Sequence, residues 1–181
     1  MKRNLLIMLL AVALVTVLGT INAVEEQYAK ATLLKIGDKV PDFTLTDLGG
    51  KKMTQADLKG NVTYFNLFTT WCGSCNQKWP ALEKDIWQSF KDDANFKMVS
   101  VGREHSKAEL VAFKKAKNLN SPLAADPKRD VYKLFAEKWI PRAVIVGPDG
   151  TLLYQSVGYD DVKIKAEKQL VRDQLAKLAA P

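Results

Sequence analysis

Val62-Thr63-Tyr64-Phe65-Asn66-Leu67-Phe68-Thr69-Thr70-Trp71-Cys72-Gly73-Ser74-Cys75 is the stretch that decides the fold. Its first seven residues are β-branched, aromatic or apolar, with Asn66 the one strongly polar exception. That run is too continuous for a strand with one wet face, so it predicts a central strand buried on both sides. The cysteines follow after three residues and open a helix. From Trp79 onward, Leu82, Ile86 and Phe90 fall three or four apart, which gives the helix one buried stripe. Pro80, in the second turn, removes a backbone donor and predicts a kink.

Shorter elements lie on either side. Phe43, Leu45 and the Gly49-Gly50 turn suggest a hairpin that closes at Lys52 to Thr54. Phe96 to Val101 reads as a second strand. Ser106-Lys107-Ala108-Glu109 is a capping box, and Leu110 and Phe113 continue its helix. Asp126-Pro127 predicts a further helix with proline at its first position, turning Val131, Leu134 and Phe135 inward. Ala143 to Val146 and Leu152 to Val157 are two runs joined by Pro148-Asp149-Gly150, and so tight a connection makes them antiparallel neighbours. Val162 to Leu178 is an amphipathic helix with Leu170, Val171, Leu175 and Leu178 on one side. The order β-α-β-α-α-β-β-α behind an N-terminal hairpin predicts an α/β fold: a central mixed sheet with helices on both faces.

The first residues read as an export signal. Lys2 and Arg3 precede an apolar run from Leu5 to Leu18, and Gly19, Thr20, Asn22 and Ala23 follow before Glu25-Glu26. The run suits a secretory signal, and its extension through Ile21 brings it near the lower limit for a membrane span. Residues 1–23 are therefore a signal peptide or an uncleaved signal anchor, with a possible membrane tether through residues 5–21. No cysteine follows the run, which argues against a lipid anchor. Residues 24–35 are polar and alanine-rich, a tether, and residues 36–181 form the folded domain. The reading places the domain in the periplasm or another extracytoplasmic space.

The chain has 47% hydrophobic residues and a net charge of +7, enough apolar content for one good core. Its basic residues are interleaved with acids, as in Lys128-Arg129-Asp130, rather than gathered into a stripe with aromatics between, so no nucleic-acid partner is expected. The two cysteines are the only ones. Outside the cytosol they could form a structural disulfide. A bridge closing so small a loop contributes only about 2 kcal/mol by chain entropy, which explains little in a domain of this size. Placed at a helix start, the pair suits a dithiol switch better. Cys72 meets free N–H groups and the positive end of the helix dipole, which stabilise a thiolate. Cys72 is then the attacking sulfur, exposed at the helix start, and Cys75, one turn inside, the resolving one.

With these features in view, the sequence resembles thioredoxin: Trp71-Cys72-Gly73-Ser74-Cys75 after a hydrophobic strand, Pro80 five residues on, and Ile140-Pro141 before a strand, hairpin and helix. The extra helical stretch between Val101 and Ile140, and the segment Pro41-Asp42-Phe43-Thr44-Leu45-Thr46-Asp47-Leu48-Gly49-Gly50, resemble the TlpA-like branch of exported redoxins. The resemblance implies a thioredoxin-like fold and exchange of thiols and disulfides with exported proteins, as a reductase by default. It also implies a membrane thiol-electron donor or acceptor as partner. By the same resemblance Pro141 is a cis-proline facing the disulfide, and Trp71, Ile140 and Pro141 form the substrate-docking surface. The chain departs from its relatives twice. Where thioredoxin carries a buried acid, six residues before the first cysteine, stands Asn66; where TlpA-like proteins place a glutamate, three residues after the second, stands Lys78. Neither common proton acceptor is present, and Asn66 and Lys78 are candidates for tuning the dithiol.

Other readings have less behind them. A peroxiredoxin wants Pro-x-x-x-Thr-x-x-Cys; Thr69 fits, but Phe65 occupies the proline place. A metal carrier or zinc site wants more ligands than two cysteines and His105, the only histidine, which reads as a solvated residue beside a helix start. No metal and no cofactor are expected. A non-catalytic thioredoxin-fold binding module would not need a reactive thiol.

Overall fold

The computed structural model describes residues 23–180, so the leader lies outside the described residues. A five-stranded sheet is built from β3 (Val62–Phe68), β4 (Phe96–Arg103), β5 (Leu123–Asp126), β6 (Arg142–Val146) and β7 (Leu152–Val157), in the order β5-β4-β3-β6-β7. β3 pairs parallel with β4 and antiparallel with β6, so the sheet is mixed. All seven residues of β3 are buried, as a central strand between two packed layers requires. A two-stranded hairpin, β1 (Thr44–Thr46) with β2 (Lys52–Thr54), precedes the sheet, and a 3-10 turn (Gln55–Leu58) leads into it.

The pleat divides the core in two. Val62, Tyr64 and Phe68 face α2 (Gly73–Ala81), α4 (Lys107–Ala116) and α6 (Asp161–Ala179). Phe65 and Leu67 face Leu45 of the hairpin, Leu58 of the 3-10 turn and α5 (Tyr132–Phe135). Each fully buried aliphatic or aromatic side chain stabilises the fold by about 1.5–3 kcal/mol, so both layers contribute substantially. Contact between α4 and the sheet is close enough to demand glycine: a Cβ on Gly102 would meet Leu110 at 2.8 Å.

Three readings need correction. The sheet holds a strand, β5, where the sequence suggested only a helix cap. Two alanines in Leu123-Ala124-Ala125 carry little strand signal, and pairing with Ser100–Arg103 of β4 supplies the order. Asp126 ends that strand, and α5 begins only at Tyr132, whose N–H donates to the Asp126 carboxylate at 2.8 Å. The C-terminal helix buries Ile164, Glu167, Val171 and Leu175, whereas Leu178 is exposed. Beyond Pro80 the chain stays helical, as the Leu82, Ile86 and Phe90 stripe predicts, with α2 passing into a π turn (Leu82–Trp87) and then α3 (Gln88–Phe90).

Residues 23–30 are helical (α1), and all but the first of them lie in the stretch read as a tether. The chain after it packs onto the domain. Ala31 and Leu34 are buried, Leu33 N–H donates to Phe135 O, and Glu137 N–H donates to Ala31 O. Among the described residues no helix is long and apolar enough to cross a membrane.

Candidate active site

The sequence fixes the site's position through one turn. β3 ends at Phe68, and Thr69 to Trp71 carry the chain to the start of α2. His105, which the sequence suggested was solvated, is buried beneath this turn, and its Nε2 accepts the Thr70 N–H at 3.0 Å. Asn76 clamps the other side: its Nδ2 donates to Thr70 O at 2.9 Å and to Cys72 O at 3.0 Å. The turn is held at three backbone atoms, so Cys72 is presented in one position.

Cys72 is the N-cap of α2. Its Sγ accepts the Cys75 N–H at 3.2 Å and lies 3.4 Å from Ser74 Oγ. These groups and the positive end of the helix favour negative charge on that sulfur. Cys72 and Cys75 are joined in a disulfide with their Cα atoms 5.2 Å apart. Neither is freely exposed. Cys72 retains 8% of its surface and Cys75 2%, so the "exposed" cysteine of the sequence reading is only the less buried of the two.

Two of the docking candidates lie beside Cys72 in space and the third precedes it in sequence. The Ile140–Pro141 bond is cis, and Ile140 O lies 3.9 Å from Cys72 Sγ. Trp71 is 69% exposed beside the cysteine. Trp139, which precedes the docking dipeptide, is also exposed and meets the Tyr28 ring of α1 edge-on at 5.6 Å. An exposed tryptophan and the Ile140–Pro141 step beside a recessed sulfur suit an extended, partly apolar polypeptide.

The tuning candidates lie underneath. Asn66 is buried, with Nδ2 3.3 Å from Ser100 Oγ and with Oδ1 unpartnered. Lys78 is buried as well, its Nζ 3.4 Å from Glu167 Oε2. Burial lowers the Lys78 pKa, and the Glu167 charge partly restores it. Sequence reasoning missed Glu167. The signal was present, because Ile164, Glu167 and Val171 are three and four apart on one stripe, which puts an acid on an apolar face. Among the described residues no cluster of three His, Cys, Asp or Glu side chains could hold a metal.

A five-stranded mixed sheet with a CxxC disulfide at the start of the helix after its central strand defines a thioredoxin-fold thiol–disulfide oxidoreductase. Residues 36–155 match the AhpC/TSA family, and the chain belongs to it. It is 24% identical over 143 residues to the thiol-disulfide oxidoreductase ResA of Bacillus cereus, covering 79% of this chain and 81% of that protein. It also superposes on the solution structure of a "putative protein disulfide isomerase" from Bacteroides thetaiotaomicron, with a TM-score of 0.77 and 30% identity, over 81% of this chain and 93% of that one. A "putative Thiol:disulfide interchange protein DsbE" from Chlorobium tepidum gives 0.67 and 27%, over 79% and 99%.

Proposed function

We propose that Cys72 is the nucleophile and Cys75 the resolving sulfur of a reductase acting on exported protein disulfides. The observation that carries the assignment is the N-cap geometry, in which Cys72 Sγ accepts a helix N–H at 3.2 Å while Cys75 sits inside the helix. In the reduced protein the Cys72 thiolate attacks one sulfur of a substrate disulfide. The other substrate sulfur leaves with the electron pair and takes a proton from water. Cys75, deprotonated, then attacks Cys72 Sγ, the Cys72–substrate bond breaks, and the substrate leaves as a second thiol. One substrate disulfide is reduced and one Cys72–Cys75 disulfide forms. A thiol-electron donor at the membrane would reduce the Cys72–Cys75 disulfide back to the dithiol. The apolar leader favours an extracytoplasmic site of action, with residues 5–21 either removed or kept as a tether. Trp71, Ile140 and Pro141 form the docking ledge, supported by Ile140 O beside the sulfur and by Trp71 next to Cys72 in the chain.

Iodoacetamide labelling of the reduced protein against pH tests the assignment. Cys72 should react first, with an apparent pKa well below the free-thiol value of about 8.5. A Cys75→Ser variant should accumulate mixed disulfides through Cys72. Preferential labelling of Cys75 would reverse the roles. The reduction potential tests direction: a reductase should lie toward the thioredoxin end of the scale at about −270 mV, an oxidant toward about −120 mV.

A further inference from the structure

Three donors converge on one carboxylate beneath the CxxC helix. Glu167 is 1% exposed; its Oε2 accepts from the Tyr64 hydroxyl at 2.5 Å and lies 3.4 Å from Lys78 Nζ, and its Oε1 accepts from Ser156 Oγ at 2.9 Å. The carboxylate is hydrogen-bonded from β3 and β7 and faces the Lys78 cation from α2. Lys78 carries three N–H donors, yet its buried Nζ has no aligned hydrogen-bond partner. The Tyr64 ring lies beside it, with its centroid 5.6 Å from Nζ. Lys78 is three residues after Cys75, one turn along the same face of α2, and both side chains are buried in the same layer.

As a purely structural device this pair is poorly made. Desolvating two charges is repaid only by well-aligned hydrogen bonds, and apolar residues of similar size usually serve as well or better. A buried ammonium with unused N–H groups, one turn from a buried sulfur, fits a part in the chemistry of that sulfur. We propose that Glu167 is the proton acceptor of the dithiol site, taking the Cys75 proton through Lys78 when Cys75 resolves the mixed disulfide. This rests on the reading of Cys75 as the resolving sulfur, and it places on the C-terminal helix the acid that is absent at Asn66 and Lys78.

The step balances. With a water between Cys75 Sγ and Lys78 Nζ, the Cys75 S–H bond breaks and its proton joins the water, the water passes a proton to Lys78 Nζ, and another Nζ–H bond breaks as its proton joins Glu167 Oε2. Lysine ends unchanged, the carboxylate becomes a carboxylic acid and the thiol becomes a thiolate. The thiolate then forms the bond to Cys72 Sγ, and the electron pair of the broken mixed disulfide leaves on the substrate sulfur. Glu167 acts through Lys78 and is a positioning residue in that sense. The titratable groups facing the pair are Tyr64 from β3, Tyr154 from β7 and Lys163 from α6, and the Ser156 hydroxyl completes the carboxylate's shell.

Stopped-flow reaction of the reduced protein with dithiobis-nitrobenzoate separates the two half-steps, since one chromophore leaves when Cys72 attacks and a second when Cys75 resolves. Glu167→Gln should keep the first phase, slow the second at least about tenfold near neutral pH and move its pH profile upward. Glu167→Asp should restore part of the rate. The double variant Lys78→Met/Glu167→Leu, which removes both charges, should show the same slowing and decides the matter if Glu167→Gln does not fold. A second phase unchanged in rate and pH profile in either folded variant would overturn the proposal and leave the pair structural. A rapid first phase in Cys72→Ser would overturn instead the assignment of the two cysteines.

Discussion

Two buried cations, one on the CxxC helix and one on the strand that follows Pro141, are held in opposite ways. Lys78, on the α2 side, faces one charged partner, Glu167, at 3.4 Å with no aligned hydrogen bond. Arg142, the residue after Pro141, is also buried but meets only neutral acceptors: Nη1 donates to Thr32 Oγ1 at 3.0 Å and Gln155 Oε1 at 3.1 Å, and Nη2 to Lys138 O at 3.2 Å. A guanidinium is a rigid fork with a permanent charge, and here it ties the segment after α1, β7 and the loop before β6 together. An amine is a movable point charge whose proton burial has already loosened. The difference separates a cation that holds the loop before β6 in place from one whose proton can move.

The hardest test of that contrast is to strand Lys78. Glu167→Ala leaves a buried ammonium without its counter-charge and should cost about 3–5 kcal/mol in urea denaturation, because desolvation is no longer compensated. Lys78→Met/Glu167→Leu should recover most of that loss. A single variant no worse than the double would mean that the two charges are uncoupled. Lys78→Glu should be worse than either, since it sets two carboxylates side by side in the core.

Arg142→Met tests the other cation. It leaves the Gln155 and Lys138 acceptors short of donors and should cost about 1–3 kcal/mol, less than stranding a charge. Its functional effect should fall on docking: weaker capture of a peptide disulfide, with the pH dependence of the Cys75 half-step unchanged. Arg142→Lys should not rescue it, because an ammonium cannot span the three acceptors in one plane. A shift in that pH dependence would erase the contrast between the two faces.

What the sequence made legible follows the same division. β3, the helix start, Cys72 and Cys75 are local patterns, each readable within a few residues, whereas the Ile140–Pro141 step stood out only through the family resemblance. β5 was not, because Leu123-Ala124-Ala125 owes its strand state to β4 rather than to its own propensity. Glu167 was hidden among Lys163, Lys165 and Lys168, where an acid reads as half of a surface pair. Its partner Tyr64 lies 103 residues away, and no local window joins them. His105 was misread for a related reason: its burial comes from the β3–α2 turn closing over it, a contact 35 residues distant.

The smallest effect, and the finest test of the α2 face, concerns Tyr64. Its hydroxyl donates to Glu167, and burial together with that carboxylate raises the Tyr64 pKa well above its ordinary value of 10.0. Above that value the unfolded chain loses the phenol proton while the fold keeps it. The folded state then binds more protons, and stability falls as pH rises through the window. Lys78 works in the opposite sense. Its pKa is lowered from 10.5, so just below that value the unfolded chain binds more protons and stability rises with pH. Tyr64→Phe removes the first contribution and leaves the second. The variant should be less stable than the parent by about 1 kcal/mol near neutral pH, the worth of one buried hydrogen bond. That gap should narrow as pH climbs past 10.0, because the parent loses what the variant never had. Urea midpoints of the two proteins across the alkaline range measure it. A gap that stayed constant would show that the Tyr64 proton is not bound more tightly in the fold, and that the carboxylate relies on Lys78 and Ser156 alone.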